Sequence, residues 1–312
     1  MSNWVWLSRV TLLSFVGTGA FAVLLFSGRG FNQSASTPSD RIPSTVTSPG
    51  KIEAVDLSTF PLPTSMTGRD RSMKFAGDSK VPTRPFDLQQ SLTSYSPLFA
   101  APTSLGMVAI GVAEGNYRLL VKDGTLYVQQ TPFYFGHTDP GNLSWGDVVS
   151  NYGPCSDQGR SKGDIALAER ICLERALNGL PTQLFDLNAA GIDPNLDLEA
   201  VLNTADLYNQ ASPIHSRYFP KALAIARNGG LKGIEALAWA RTASFYLNFN
   251  NEMDIEGGSN KATGLIGICA RENRPTTEWQ CVYDDQMRRV KAITNVLEKY
   301  RSLIPQGKTK PN

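Results

Sequence analysis

From Asp164 to Leu303 apolar residues recur at helical spacing, and Gly or Asn-Gly pairs cut the pattern into lengths of a few turns. Asp164 stands as an N-cap before a helical run that Asn178-Gly179 closes. Pro181–Leu187 reads as a short helix ended by Ala189-Ala190-Gly191, and Asp197–Gln210 places Leu198, Val201, Leu202, Ala205 and Tyr208 on one side. Ser216–Asn228 precedes Gly229-Gly230. Leu231–Leu247 is apolar nearly all round, which puts it at the centre, with Trp239 in the core and Arg241 at its edge. Asp284–Leu303 is a last amphipathic helix, and residues 305–312 form a disordered tail. In the loop Asn248–Asn260, Glu252, Asp254 and Glu256 alternate without EF-hand spacing, so it reads as a solvated acidic loop rather than a calcium site. A chain built this way forms a mainly α domain, here bounded as 103–304.

One stretch breaks the pattern. Thr103 or Ser104 caps a helix with Leu105, Val108, Ala109 and Val112 at helical spacing, and Gly115-Asn116 stops it just after Glu114. Tyr117–Val121 and Thr125–Gln129 are rich in branched and aromatic residues, and Asp123-Gly124 between them signals a tight hairpin. A loop with Pro132, Gly136, Pro140 and Gly141 follows.

The N-terminal third sets the compartment. Val10 to Gly28 is uncharged and just long enough to span a bilayer, with Trp4 and Trp6 placed as interfacial anchors. Residues 1–28 therefore read as an uncleaved transmembrane signal anchor, with a cleaved signal peptide as the alternative. Residues 29–102, rich in Pro, Ser and Thr, read as a flexible linker in which a stretch such as Ile52–Leu57 is a candidate edge strand. The net charge of +2, with no basic block, argues against nucleic-acid binding. Four cysteines behind an export signal suggest disulfides. Of the three pairings, Cys155–Cys172 and Cys269–Cys281 each close a short loop beside a helix; buried free thiols are the alternative. Two histidines and no C-x-x-C leave no pattern for a metal site, and no cofactor motif is present. The body is expected outside the cytoplasm, anchored to the membrane.

Glu114 is the first candidate catalytic residue. The carbonyls at a helix C-terminus and an apolar preceding turn both disfavour an ionised carboxylate, the condition a general acid needs. His137 and Asp139, two apart on a Gly/Pro-bounded loop, can point into one cleft. Asn116, Tyr134, Asn142 and Trp145 supply amide and aromatic groups suited to sugar faces. The competing reading makes His137 a residue that ties down its own loop.

The run from Glu114-Gly115-Asn116 through Arg118-Leu119 to Asp123, then Gly136-His137, resembles the active-site start of phage-type lysozymes and related lytic transglycosylases of the lysozyme-like superfamily. The resemblance implies a lysozyme-like helical domain with one small β-hairpin. It makes Glu114 the general acid on a glycosidic oxygen and Asp123 the second carboxylate; Asp139, beside His137 and the aromatic groups, is the other candidate for that second role. Glu-Gly-Asn with Gly-His-Thr-Asp-Pro-Gly-Asn, and the later Asp285-Gln286…Arg288-Arg289, are also similar to a group of uncharacterised exported cyanobacterial proteins. The implied function is a membrane-anchored peptidoglycan glycoside hydrolase or lytic transglycosylase. The alternative is a non-catalytic envelope protein of the same fold that binds glycan or a protein partner.

Overall fold

A computed structural model describes residues 50–56, 85–144 and 147–303. The expected membrane span, most of the expected linker and the C-terminal tail lie outside these residues. Among the described residues no helix is long and apolar enough to cross a membrane.

The edge strand suspected in the Pro/Ser/Thr-rich stretch is present: β1 (Ile52–Ala54) pairs antiparallel with a strand of the later hairpin. Further along the expected linker, α1 (Leu88–Tyr95) forms, capped by the Asp87 side chain on the Gln90 amide, and a 3₁₀ turn Ser96–Phe99 follows. Tyr95, Leu98 and Phe99 are buried. The folded body therefore starts before residue 103. Composition hid this, because the spacing of Leu88, Leu92, Tyr95 and Phe99 marks one buried face within a Pro- and Ser-rich context.

The next helix, α2 (Leu105–Glu114), is sealed on nearly every side, as its run of apolar residues requires. Gly111 lets the chain fold back: a Cβ there would meet the Tyr117 ring at 2.3 Å. Gly115 ends the helix at φ 88°, a left-handed conformation that glycine adopts without strain. Strands β2 (Tyr117–Lys122) and β3 (Thr125–Gln130) then pair through the turn Asp123-Gly124, at φ 50° and 72°, giving the sheet order β1-β3-β2. Where a loop was expected, β4 (His137–Ser144) and β5 (Asp147–Asn151) form a second hairpin.

The remainder is helical. Helix α3 runs unbroken over Ile165–Ala189 rather than as two pieces split at Gly179. Leu180, Leu184 and Leu187 bury completely, and Gly179 is pressed against the Tyr208 ring, so packing overrides the break that Gly179 and Pro181 signalled. Then come α4 (Leu198–Gln210), α5 (Pro213–Asn228), α6 (Gly233–Ala243), a short strand pair β6 (Tyr246–Leu247) and β7 (Ser259–Asn260), α7 (Thr263–Arg271) and α8 (Glu278–Leu303). Asp164 caps α3 as expected, accepting from the Leu167 amide, and Asp197 caps α4 in the same way through the Ala200 amide. Helix α6 sits between α5 and α8, and α8 also packs on α2. Leu237, Ala240, Val290 and Ile293 form the inaccessible centre.

Both disulfides form in the expected pairs, Cys155–Cys172 and Cys269–Cys281. They fit an oxidising compartment outside the cytoplasm. The second ties α7 to α8, and Cys269 is the one buried residue of α7. Replacing both Cys269 and Cys281 with serine is expected to lower stability by about 3 kcal/mol, the value for a short closed loop. Amide hydrogen exchange should rise first in α7; protection unchanged there would show that other contacts hold it.

Candidate functional site

A cleft of 440 Å³ opens beside the C-terminus of α2. Glu114 and α8 form its floor, α4 and the start of α5 one wall, and α7 another. The loop after β5 contributes Ser156 and Gln158, both at positive φ (62° and 60°). Non-glycine residues held there cost about 1 kcal/mol or more each, strain that concentrates at functional sites. The two disulfides brace this architecture. One holds the loop that carries Ser156 and Gln158, and the other fastens α7 to α8.

Glu114 is not free. Arg289 approaches its carboxylate in bidentate fashion, Nη2 to Oε1 at 2.7 Å and Nη1 to Oε2 at 3.2 Å. Asn209 donates to Oε1 at 2.9 Å and also to the Cys155 carbonyl. Arg288 donates to the Ala113 carbonyl at 2.9 Å. The negative end of α2 is therefore met by two guanidinium groups, the arrangement that complements a helix C-terminus. The helix end and the apolar turn, the two influences expected on Glu114, are joined by a third, because α8 brings Arg288 and Arg289 to it from far along the chain.

Behind Glu114 lies a charge network without solvent access. Arg289 also holds Asp206, Nη2 to Oδ1 at 2.7 Å and Nε to Oδ2 at 2.9 Å. Arg241 donates to the same Asp206 at 2.7 Å and to Gln210, Gln286 and the Asn203 carbonyl. Arg241 and Asp206 are both fully buried. Burial pulls the Asp206 carboxyl up, and Arg289 and Arg241 together more than reverse this, holding it below the usual carboxylate range. Two arginines and two carboxylates balance, with Glu114 and its partner Arg289 the members that reach the cleft.

The other expected site residues separate clearly. Asp123 is exposed at its hairpin tip and does not line the cleft. Asn116 is fully buried and donates to the Gly153 carbonyl, fastening the turn after α2 to the loop beyond β5. Tyr134 is fully buried with its hydroxyl on Glu169; the rings exposed on that turn are Phe133 and Phe135. A side chain pointing inward from a 3₁₀ turn, flanked by two that point out, is what reversed these roles. His137 is half-buried, its Nδ1 2.8 Å from the Phe133 carbonyl and its Nε2 3.5 Å from Ser156 Oγ. It shapes its own loop and lies beside Ser156, which lines the cleft. Asp139 and Asn142 fall on β4 with side chains outside the described set, and Trp145 lies outside it altogether. Strand β4 packs against α7. The acidic loop is held by its own contacts: Glu252 accepts from Asn248, and Asp254 from the Gly257 amide.

Several residues of the cleft and of the network behind it had no individual sequence signal. Asp206, Asn209 and Gln210 interrupt the buried face of α4, and a charged residue inside an apolar helical stripe was the available clue. Arg241 sits fully inside the core rather than at its edge. Asp285 is the other carboxylate on the cleft among the described residues, and it accepts from Arg288 and Gln210. No protein family, curated protein or solved structure matches this chain.

Proposed function

We propose that the cleft takes an uncharged sugar chain, of the peptidoglycan or other envelope-glycan class, and that the protein cleaves it as a glycoside hydrolase or lytic transglycosylase. The observation that carries this reading is Glu114, a helix-terminal carboxyl group held by Arg289 and Asn209 at the floor of a cleft rich in amides and hydroxyls. The cleft's charges are matched within the protein, Glu114 with Arg289 and Asp285 with Arg288, which favours a neutral polar ligand. The resemblance of the Glu114–His137 stretch to lysozyme-like proteins supports the same reading, and so does the uncharged run Val10–Gly28, read as a membrane anchor.

In this mechanism Glu114, in the form that carries a proton in place of its ion pair with Arg289, gives that proton to the glycosidic oxygen as the bond from that oxygen to the sugar carbon breaks. Water, or a hydroxyl of the sugar itself, bonds to that carbon, and the proton it sheds returns to Glu114. Asp139 is the candidate second carboxylate, because its strand packs on α7. A second reading, a non-catalytic envelope protein that binds glycan, is favoured by the Arg289 fork, which holds Glu114 as an ion pair. Digestion of purified peptidoglycan by the wild-type protein and by Glu114→Gln decides between them. Release of sugar fragments by the wild type alone is expected; no release by either, or equal release by both, would overturn the catalytic reading.

A further inference from the structure

His215 enters the same cleft from α5, and it was absent from the sequence-based site. The residue is 5% exposed. Its Nδ1 lies 2.9 Å from the Ser244 carbonyl oxygen, which accepts only, so Nδ1 carries the proton in the neutral ring. Phe245 packs against the ring, centroids 4.5 Å apart and planes 33° inclined. With Nδ1 protonated and the ring neutral, Nε2 presents a lone pair. Nε2 has no partner among the described residues, and it is not among the polar atoms sealed from solvent. It therefore opens on the cleft, an acceptor that the fold leaves for something outside the chain. Burial pushes the His215 pKa below the ordinary histidine value, with the Ser244 bond opposing, which keeps the neutral form at neutral pH.

We propose that His215 is a specificity-determining residue of the glycan site, its Nε2 accepting a hydrogen bond from a hydroxyl or amide N–H of the bound sugar. This rests on the glycan reading above but not on catalysis. Arg241 of α6 and Asp206 of α4 are closed on one another, and Asp186 of α3 is paired with Arg217 of α5. Across the cleft, Glu114 and Asp285 are held by Arg289 and Arg288, and Lys261 donates to Ser259. The bond to Nε2 exists only while His215 is neutral, so protonation of this ring removes it.

The test uses β-1,4-linked hexamers of N-acetylglucosamine and of glucose with the intact protein. The chain has two histidines, so each ring can be followed by NMR as pH is varied. Saturating sugar should lower the His215 midpoint and leave His137 in place. Affinity should fall below the His215 midpoint of the free protein and level off at about a tenfold loss, the worth of the bond that protonation removes. His215→Phe, which keeps the contact with Phe245, should weaken binding about tenfold, the worth of one hydrogen bond, and lose this pH response. His215→Gln, which restores an acceptor, should recover part of the affinity. Response to both hexamers assigns the donor to a hydroxyl, and response to the N-acetylated one alone assigns it to the amide N–H. A His215 titration unmoved by bound sugar, or a His215→Phe variant that binds as the wild type does, overturns the inference alone. Binding without cleavage overturns only the catalytic reading, and no binding of either hexamer removes both.

Discussion

Asp206→Asn is expected to destabilise the protein by about 3–5 kcal/mol, the cost of removing one partner from a buried ion pair. Asp206 is the shared acceptor for Arg241 and Arg289, and all three have little or no solvent access. Without its charge, two guanidinium groups face a neutral amide in the core, and Glu114 alone remains to balance them. Chemical denaturation should show a lower midpoint with an unchanged slope. Replacing Asp206, Arg241 and Arg289 together with apolar residues of matching volume should cost less than Asp206→Asn alone, because no charge is then left unpaired. The acid limb gives a second reading. The Asp206 pKa is lowered in the folded state, so its contribution is fully present above the unfolded value, about 4. That contribution is lost as pH falls through the folded value. Asp206→Asn should therefore be closest to wild type in strong acid and furthest from it at neutral pH. A loss below about 1 kcal/mol at pH 7, the scale of an exposed pair, would mean that water reaches the network.

This network also marks the boundary of what the sequence makes legible. The end of α2, the Asp123-Gly124 turn, the cap of α3 and both disulfide pairings are local, each settled within a few to some twenty residues. Glu114 could be singled out for the same reason, since Gly115 fixes its place at a helix terminus. What holds Glu114 could not. Arg289 lies 175 residues away and Asp206 is 83 residues from Arg289, so only the packing of α8 against α2 and α4 brings them together. Local reading also misjudged direction. Tyr134 and Asn116 carry groups suited to sugar, but they point inward, while His215, just outside the helix expected from Ser216, lies on α5 and opens on the cleft. Residue type indicates what chemistry is available; which side of the backbone it serves depends on contacts made by distant elements.

Glu114→Gln should abolish glycan cleavage, by about 10²–10⁴-fold for loss of a positioned proton donor, while leaving the fold close to wild type. The two effects separate because of how Arg289 is shared. Its Nε and Nη2 remain paired with Asp206 when Glu114 loses its charge, so the guanidinium is not orphaned. The amide oxygen of the substituted side chain keeps an acceptor for Arg289 Nη2 or Asn209, and a stability cost of about 1–3 kcal/mol is expected, less than for Asp206→Asn. Affinity for oligosaccharide should persist, since the amide fills the same volume at the floor of the cleft. Arg289→Lys provides the complementary arm. A lysine cannot reproduce the fork that spans Glu114 and Asp206, so this variant should lose stability and disturb the Glu114 geometry together. A simple structural role for Glu114 requires the reverse pattern: Glu114→Gln and Arg289→Lys would each change activity only in proportion to the folded fraction. Cleavage per folded molecule that is lost in Glu114→Gln, with binding retained, is an outcome only the proton-donor role produces.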